Sequence, residues 1–183
     1  GYGKYGPAKG ITELRTALVD YREGRGRQAY STEETKLKIE SIMICPGARF
    51  AVYLAINTLL NPGDEIIVIE PSWPAYKDCA LNAGIKVRTI KTTLETKWEP
   101  SIDQINNAIN ENTKMIVLNY PNNPTGKYFP EKIQDSIIEI AKKHDLYVLS
   151  DQIYAEFAEH TKRPTSGVSF KSVLEYNYKK SII

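Results

Sequence analysis

The sequence predicts an α/β fold, a three-layer α/β/α arrangement around a mostly parallel sheet. Short apolar runs alternate along the chain with longer segments whose apolar residues recur at helical spacing. The run at residues 114–118 is apolar after its first residue, which is typical of a strand covered on both faces. Breakers such as Asn61-Pro-Gly-Asp64 separate the segments. This alternation indicates strand–helix–strand units, whose strands run parallel.

The first part of the chain predicts a helix, a strand and a second helix. Residues 12–21 place Leu14, Leu18 and Tyr21 at helical spacing, with Thr12 as the cap. Residues 41–45 are predicted to form an apolar strand, residues 46–48 a tight turn and residues 49–60 a helix. A glycine turn that enters a helix presents free N–H groups at the positive end of the helix dipole, which suits a phosphate. Gly47 could equally serve the turn alone.

The remaining elements continue the alternation. Strands are predicted at residues 65–69, 86–90, 114–118 and 146–150, and helices at residues 75–83, 101–110 and 130–144. Two proline-containing loops follow strands, at residues 70–74 and 119–127. Ligands of parallel sheets bind where such loops emerge, although Asn-Pro and Thr-Gly pairs are also common in ordinary turns.

Composition narrows the classes of protein that fit. The chain has 183 residues, 42% of them hydrophobic, which is enough for one globular domain with a proper core. A net charge of +2 from intermixed charges does not favour nucleic acid as a partner. Two separated cysteines and two histidines predict neither a disulfide framework nor a zinc site. Without a membrane span or a signal peptide in the sequence, we expect a cytoplasmic, reducing location.

Several strand ends and loops carry residues that could take part in chemistry. Trp73 lies between two prolines, where its ring could stack on a flat ligand or simply pack. Asp151 follows an apolar strand, so its carboxylate could hold the proton of a ring nitrogen or cap the next turn. Tyr154, one helical turn later, could bind a ligand oxygen or cover the sheet. Asn123 stands in the middle of the loop at residues 119–127.

The order of these motifs closely resembles that in one enzyme family. It is similar to the large domain of the fold-type I, pyridoxal-phosphate-dependent aminotransferases, the class I/II aspartate aminotransferase superfamily. The resemblance covers nearly the whole chain, and its motifs are Tyr5-Gly-Pro-Ala-Lys-Gly-Ile-Thr-Glu-Leu14, Pro46-Gly-Ala-Arg49, Asn61-Pro-Gly-Asp-Glu65, Pro71-Ser-Trp-Pro74, Tyr120-Pro-Asn-Asn-Pro-Thr-Gly126 and Ser150-Asp-Gln-Ile-Tyr154.

This resemblance implies roles around the ring of pyridoxal 5'-phosphate (PLP). Asp151 would face the pyridine nitrogen and keep it protonated, which makes it, with Tyr154, a catalytic residue. Asn123 and Tyr154 would hydrogen-bond the phenolic oxygen of the cofactor. Trp73 would stack on the ring face.

The resemblance also implies how the phosphate is held. Gly47, Ala48 and Arg49 would contact it, mainly through N–H groups at the helix start. Tyr5 would reach the phosphate bound in the other subunit, which implies a homodimer with shared active sites.

Some parts of the family pattern are expected outside this sequence. The catalytic lysine would lie a few residues beyond Ile183, since Lys171, Lys179 and Lys180 lack a Ser-x-Ser-Lys-type context. We therefore expect residues 1–183 to be most of the cofactor-binding large domain, cut at both ends, without the lysine-bearing segment and the small C-terminal domain, and inactive alone. Gln152 and Arg49 stand where other residues are frequent in the family, which leaves the subgroup open.

The implied activity is transfer of an amino group from an amino acid to a 2-oxo acid. Two alternatives stay open at the level of sequence. The first is a PLP-dependent carbon–sulfur lyase or an enzyme like aminocyclopropane carboxylate synthase. The second is the effector domain of a PLP-binding transcription regulator. The sequence does not identify the amino donor.

Overall fold

The computed structural model describes Gly3 and residues 5–24, 37–160, 172–176 and 178–183. The helices in this part are α1 (Thr12–Gly24), α2 (Ala48–Leu59), α3 (Ala75–Asn82), α4 (Ile102–Ala108), α5 (Glu131–Lys143) and α6 (Ala155–His160). The strands are β1 (Glu65–Glu70), β2 (Lys86–Lys91), β3 (Thr113–Asn119), β4 (Tyr147–Asp151) and β5 (Ser181–Ile182). Two short 3-10 helices lie at Ile39–Ser41 and Val173–Tyr176.

The five described strands form one sheet in the order β2-β1-β3-β4-β5. Every pairing between them is parallel, which confirms the predicted sheet. From β1 the chain steps outward to β2, then crosses back past β1 to form β3. The direction of winding therefore reverses between β1 and β3. In open α/β sheets this reversal marks the place where a ligand-binding crevice forms.

Two apolar layers cover the sheet, because successive side chains of a strand point to opposite faces. Ile67 and Ile69 pack in a cluster with buried residues of α4 and α5. Ile66 and Val68 pack in a second cluster with α2 and α3. The predicted three-layer arrangement is therefore confirmed, and α3 and α5 cover opposite faces.

The predicted strand at residues 41–45 is wrong. Residues 1–47 form a compact unit of their own, separate from the unit of residues 48–183. In the first unit, the segment starts at the end of a 3-10 helix, Ile42 is extended, and residues 42–45 belong to no strand within the described part of the chain. Its polar groups have other partners. Arg15 Nε donates to the Ile42 carbonyl at 3.0 Å, and the Ile44 N–H donates to the Lys9 carbonyl at 3.0 Å.

Smaller differences concern the ends of elements. Helix α4 ends at Ala108, two residues before the predicted end, because Ile109 adopts an extended conformation. Helix α6 was not predicted. Strand β5 is short and consists of Ser181 and Ile182.

Candidate functional site

The candidate site lies in the second unit, at the carboxyl ends of β1, β3 and β4. The loop after β1 leads to α3 on one face, and the loop after β3 leads to α5 on the other, so the two loops diverge. A cavity of about 200 Å³ opens here, lined by Ala48, Trp73, Tyr76, Asn119, Asn123, Asp151, Ile153 and Tyr154. Four residues that the sequence singled out around a ring, Trp73, Asn123, Asp151 and Tyr154, thus come together.

Asp151 is the last residue of β4, and both of its carboxylate oxygens are hydrogen-bonded. The Tyr76 hydroxyl donates to Oδ2 at 2.6 Å, and the Ile153 N–H donates to Oδ1 at 3.1 Å. A distance of 2.6 Å lies within the range of hydrogen bonds from a hydroxyl to a carboxylate. Because a carboxylate offers about four acceptor positions, these contacts, counted among the described residues, leave each oxygen one position for a ligand.

Tyr76 was missed by the sequence reasoning. It lies on α3 and is almost fully buried. Burial, and then the negative charge and hydrogen bond of Asp151, raise the pKa of the Tyr76 hydroxyl far above its ordinary value. The phenol therefore keeps its proton and acts as a donor. No local signal could have found it, because its partner lies 75 residues away in the sequence.

Asn119 ends β3 and holds the following loop. Its Oδ1 accepts from the Asn123 N–H at 2.9 Å, and its Nδ2 donates to the Asp151 carbonyl at 3.2 Å. The sequence reasoning did not single out Asn119. A signal was available, because Asn119, like Asp151, is a polar residue that ends an apolar strand.

Asn122 joins this loop to the loop after β1. It is buried, its Oδ1 accepts from the Thr125 hydroxyl at 2.7 Å, and its Nδ2 donates to the Pro71 carbonyl at 3.2 Å. Both loops that border the cavity are therefore fixed by side-chain bonds to main-chain groups.

Asn123 and Tyr154 present two hydrogen-bonding groups to the same part of the cavity. Asn123 Nδ2 donates to the Tyr154 hydroxyl over a long distance of 3.5 Å. A contact of this length is weak, so a ligand oxygen could replace it and accept from both groups.

Trp73 forms the aromatic wall of the cavity, and Arg49 lies against its ring. The Trp73 ring meets Tyr76 edge-on, with ring centroids 5.4 Å apart and planes at 86°. The guanidinium carbon of Arg49 lies 5.4 Å from the Trp73 ring centroid, within cation–π range. Arg49 is exposed and contacts Trp73. It is not one of the described residues that line the cavity.

Two predicted contacts fall in the first unit, residues 1–47. Gly47 immediately precedes α2 and has a φ of 91°, a conformation that favours glycine. Tyr5 is fully exposed. Their predicted roles toward a phosphate stay predictions.

Other kinds of site find no support in the described part of the chain. Its histidine, cysteine and acidic side chains form no group of three or more that could hold a metal ion. In the same part, no helix has both the length and the apolar character needed to cross a membrane.

Known proteins are similar to this chain in sequence and fold. A family model described as aminotransferase class I and II matches residues 1–176. The aspartate aminotransferase of Sulfolobus acidocaldarius is 36% identical over 177 residues, which cover 96% of this chain and 41% of that enzyme. The aspartate/prephenate aminotransferase of Thermus thermophilus is 34% identical over 84% of this chain and 38% of its own length.

A solved structure agrees. The aspartate aminotransferase of Thermotoga maritima superposes with a TM-score of 0.82 at 28% identity, over 94% of this chain and 42% of that chain. The chain thus spans about two fifths of the length of the relatives it matches.

Proposed function

Because the chain belongs to the aminotransferase class I and II family, we propose that it forms the cofactor-binding part of a PLP-dependent aminotransferase. Its reaction moves an amino group from an amino acid to a 2-oxo acid. The observation that carries the proposal is the carboxylate of Asp151, held by two donors at the edge of a cavity with acceptor positions left for a ligand. The similarity to aspartate aminotransferases favours this activity over the lyase and regulator alternatives.

The described residues fit the chemistry of a pyridine ring with a phenolic oxygen. The cavity of about 200 Å³ is smaller than the roughly 300–1,000 Å³ of pockets for drug-sized ligands, which suits a single substituted ring. It offers an anionic acceptor in Asp151, two polar groups in Asn123 and Tyr154, and a flat aromatic wall in Trp73.

Each side chain then has a defined task. When bound, PLP supplies a ring that accepts electrons from the α-carbon of the substrate. Asp151 holds a proton at the ring nitrogen, and its negative charge balances the positive charge there. Asn123 and Tyr154 hydrogen-bond the phenolic oxygen and orient the ring, while Trp73 packs on the ring face.

The phosphate is assigned to the start of α2. The first N–H groups of a helix lack partners within the helix and carry its positive dipole end. Ala48 begins α2 and lines the cavity. We extend the assignment to Gly47, which precedes the helix, and to Arg49, whose side chain adds positive charge beside Trp73.

The rest of the machinery is proposed to lie outside residues 1–183. The cavity-lining residues that the structure describes include no lysine, and the chain spans 41% of its Sulfolobus acidocaldarius relative. Both facts support a further segment that carries the catalytic lysine and a small domain, with residues 1–183 as most of the large domain. Aspartate, named in the relatives above, is the first donor to assay with a 2-oxo acid acceptor.

A homodimer with shared active sites is part of the same proposal. The exposed phenol of Tyr5 supports it, because a side chain in this state is available to a second copy. Light scattering coupled to gel filtration tests the dimer. The cytoplasmic location stays a prediction.

The experiment that tests the function is a titration with pyridoxamine 5'-phosphate, the amine form of the cofactor, which cannot react with surface lysines. Binding to the chain is followed by tryptophan fluorescence. We expect Asp151→Asn to weaken binding about 10- to 100-fold, since a hydrogen bond to a charged group contributes about 1.5–3 kcal/mol. The control Asp78→Asn, at an exposed position of α3, is expected to bind like the parent chain. No binding by the parent, or equal binding by Asp151→Asn, would contradict the proposal.

A further inference from the structure

We propose that Tyr76 is a positioning residue, whose hydroxyl fixes the Asp151 carboxylate so that one lone pair points at the ring nitrogen of the cofactor. The inference rests on the proposed function. Tyr76 lies on α3, and its hydroxyl contacts the Asp151 carboxylate.

The geometry constrains the carboxylate at two points. Tyr76 donates to Oδ2 at 2.6 Å and the Ile153 N–H donates to Oδ1 at 3.1 Å. A carboxylate with one donor on each oxygen cannot rotate about its Cβ–Cγ bond without breaking both hydrogen bonds. Its remaining acceptor positions therefore keep a fixed direction.

Tyr76 is itself held rigidly. It is 1% exposed, so its ring has little freedom within the layer formed by α2 and α3. Its edge-on contact with Trp73 connects it to the aromatic wall of the cavity. One side chain thus fixes the orientation of the carboxylate relative to the surface on which a ring would lie.

Tyr178, which is partly buried, shows what a purely structural role looks like. The Tyr178 hydroxyl bonds the carbonyls of Ala141 and Leu146, at 3.0 and 2.6 Å, and Tyr178 does not line the cavity. Tyr76 instead lines the cavity, and its hydroxyl donates to a carboxylate that lines the same cavity. This difference in partner favours a functional role for Tyr76.

The test is a comparison of two ligands on two chains. The ligands are pyridoxamine 5'-phosphate and its carbocyclic analogue, in which C–H replaces the ring nitrogen. We expect the parent chain to prefer the natural ring. Tyr76→Phe should reduce this preference about three- to tenfold, the factor that corresponds to one hydrogen bond, with the affinity for the analogue unchanged. Tyr178→Phe is the matched control and should leave the preference unchanged.

The outcomes separate the two proposals. If the parent chain binds neither ligand, the proposed function fails and the inference fails with it. A different result arises if the parent chain prefers the natural ring but Tyr76→Phe does not reduce this preference. Equal weakening of binding to both ligands, an unchanged preference or a larger preference would each overturn only the role of Tyr76. Near-ultraviolet circular dichroism reports whether Tyr76→Phe is folded. If it is not, replacing Tyr76 by 3-fluorotyrosine keeps the ring packing and makes the donor more acidic, and an unchanged preference would then overturn the inference.

Discussion

Removal of the Glu65 carboxylate is expected to destabilise the second unit measurably. Glu65 begins β1 at the amino-terminal edge of the sheet and is 6% exposed. It accepts hydrogen bonds from Arg88 at 2.9 and 3.1 Å, from Asn110 at 2.8 Å and from Thr113 at 3.0 Å. Burial alone raises the pKa of Glu65, but the bonds from Arg88, Thr113 and Asn110 outweigh burial and lower it overall.

The size of the effect follows from which donors lose their partner. Thr113 is 2% exposed, so Glu65→Ala leaves its hydroxyl without an acceptor, at a cost of about 1–3 kcal/mol. Arg88 and Asn110 are exposed, so water can replace the carboxylate for them and their contribution is small. We expect Glu65→Ala to lower the free energy of unfolding by about 2 kcal/mol at pH 7, and the isosteric Glu65→Gln to lower it by about 1 kcal/mol.

Urea unfolding followed by circular dichroism measures this free energy. Glu111→Ala, an exposed glutamate at the same edge, is the matched control and should change it by less than about 0.5 kcal/mol. Because the folded pKa of Glu65 lies below the unfolded value of about 4.3, its contribution is complete above that value. It is lost as the pH falls through the folded pKa, so the difference between the parent and Glu65→Gln should narrow in acid. An equal difference at pH 7 and pH 3, or a cost for Glu65→Ala no larger than for Glu111→Ala, would contradict this prediction.

Two further predictions concern the loop after β3 and the first unit. Asn119→Ala should weaken pyridoxamine 5'-phosphate binding about three- to tenfold, because it removes the bond that holds the Asn123 N–H; equal weakening by Asn57→Ala, an exposed change on α2, would contradict this. Gly10→Ala should accelerate hydrogen exchange at the Ile44 amide about tenfold or more, because its Cβ would lie 2.5 Å from Ile44 Cγ1 and its φ is 92°. Gly63→Ala, with a φ of 96° and open space around the Cβ, should leave that amide unchanged, and the same exchange rate in both variants would rule out the clash.

The fold class could be predicted from sequence because its signals are local. The apolar runs of β1, β3 and β4 and the helical spacing of α5 follow directly from which faces are buried. The strand order β2-β1-β3-β4-β5 could not be predicted from the sequence, since strand pairing depends on contacts between distant residues. The strand prediction for residues 41–45 was wrong because an apolar run does not specify a neighbouring strand, and here Arg15 donates to the Ile42 carbonyl.

The candidate site divides in the same way. Asp151 and Asn123 could be found because they follow apolar strands, and parallel strands bring their carboxyl ends to one edge. Tyr76 could not be found in this way, because a tyrosine on an apolar helix face gives the same sequence pattern whether its hydroxyl bonds a carbonyl or a carboxylate. Only the packing of α3 beside the end of β4 distinguishes the two.

The Glu65 network and the cavity lie at opposite ends of the same strands. Strand β3 connects the two ends, with Thr113 at its first position and Asn119 at its last. Its seven residues span about 20 Å, since each residue of a strand advances about 3.3 Å. Substitutions at such a separation, without shared partners, add independently in their effects on stability. A cavity substitution that alters ligand preference and lowers stability can therefore be offset by a stabilising substitution at the other end of the sheet. The binding residues are thus open to evolutionary or laboratory change.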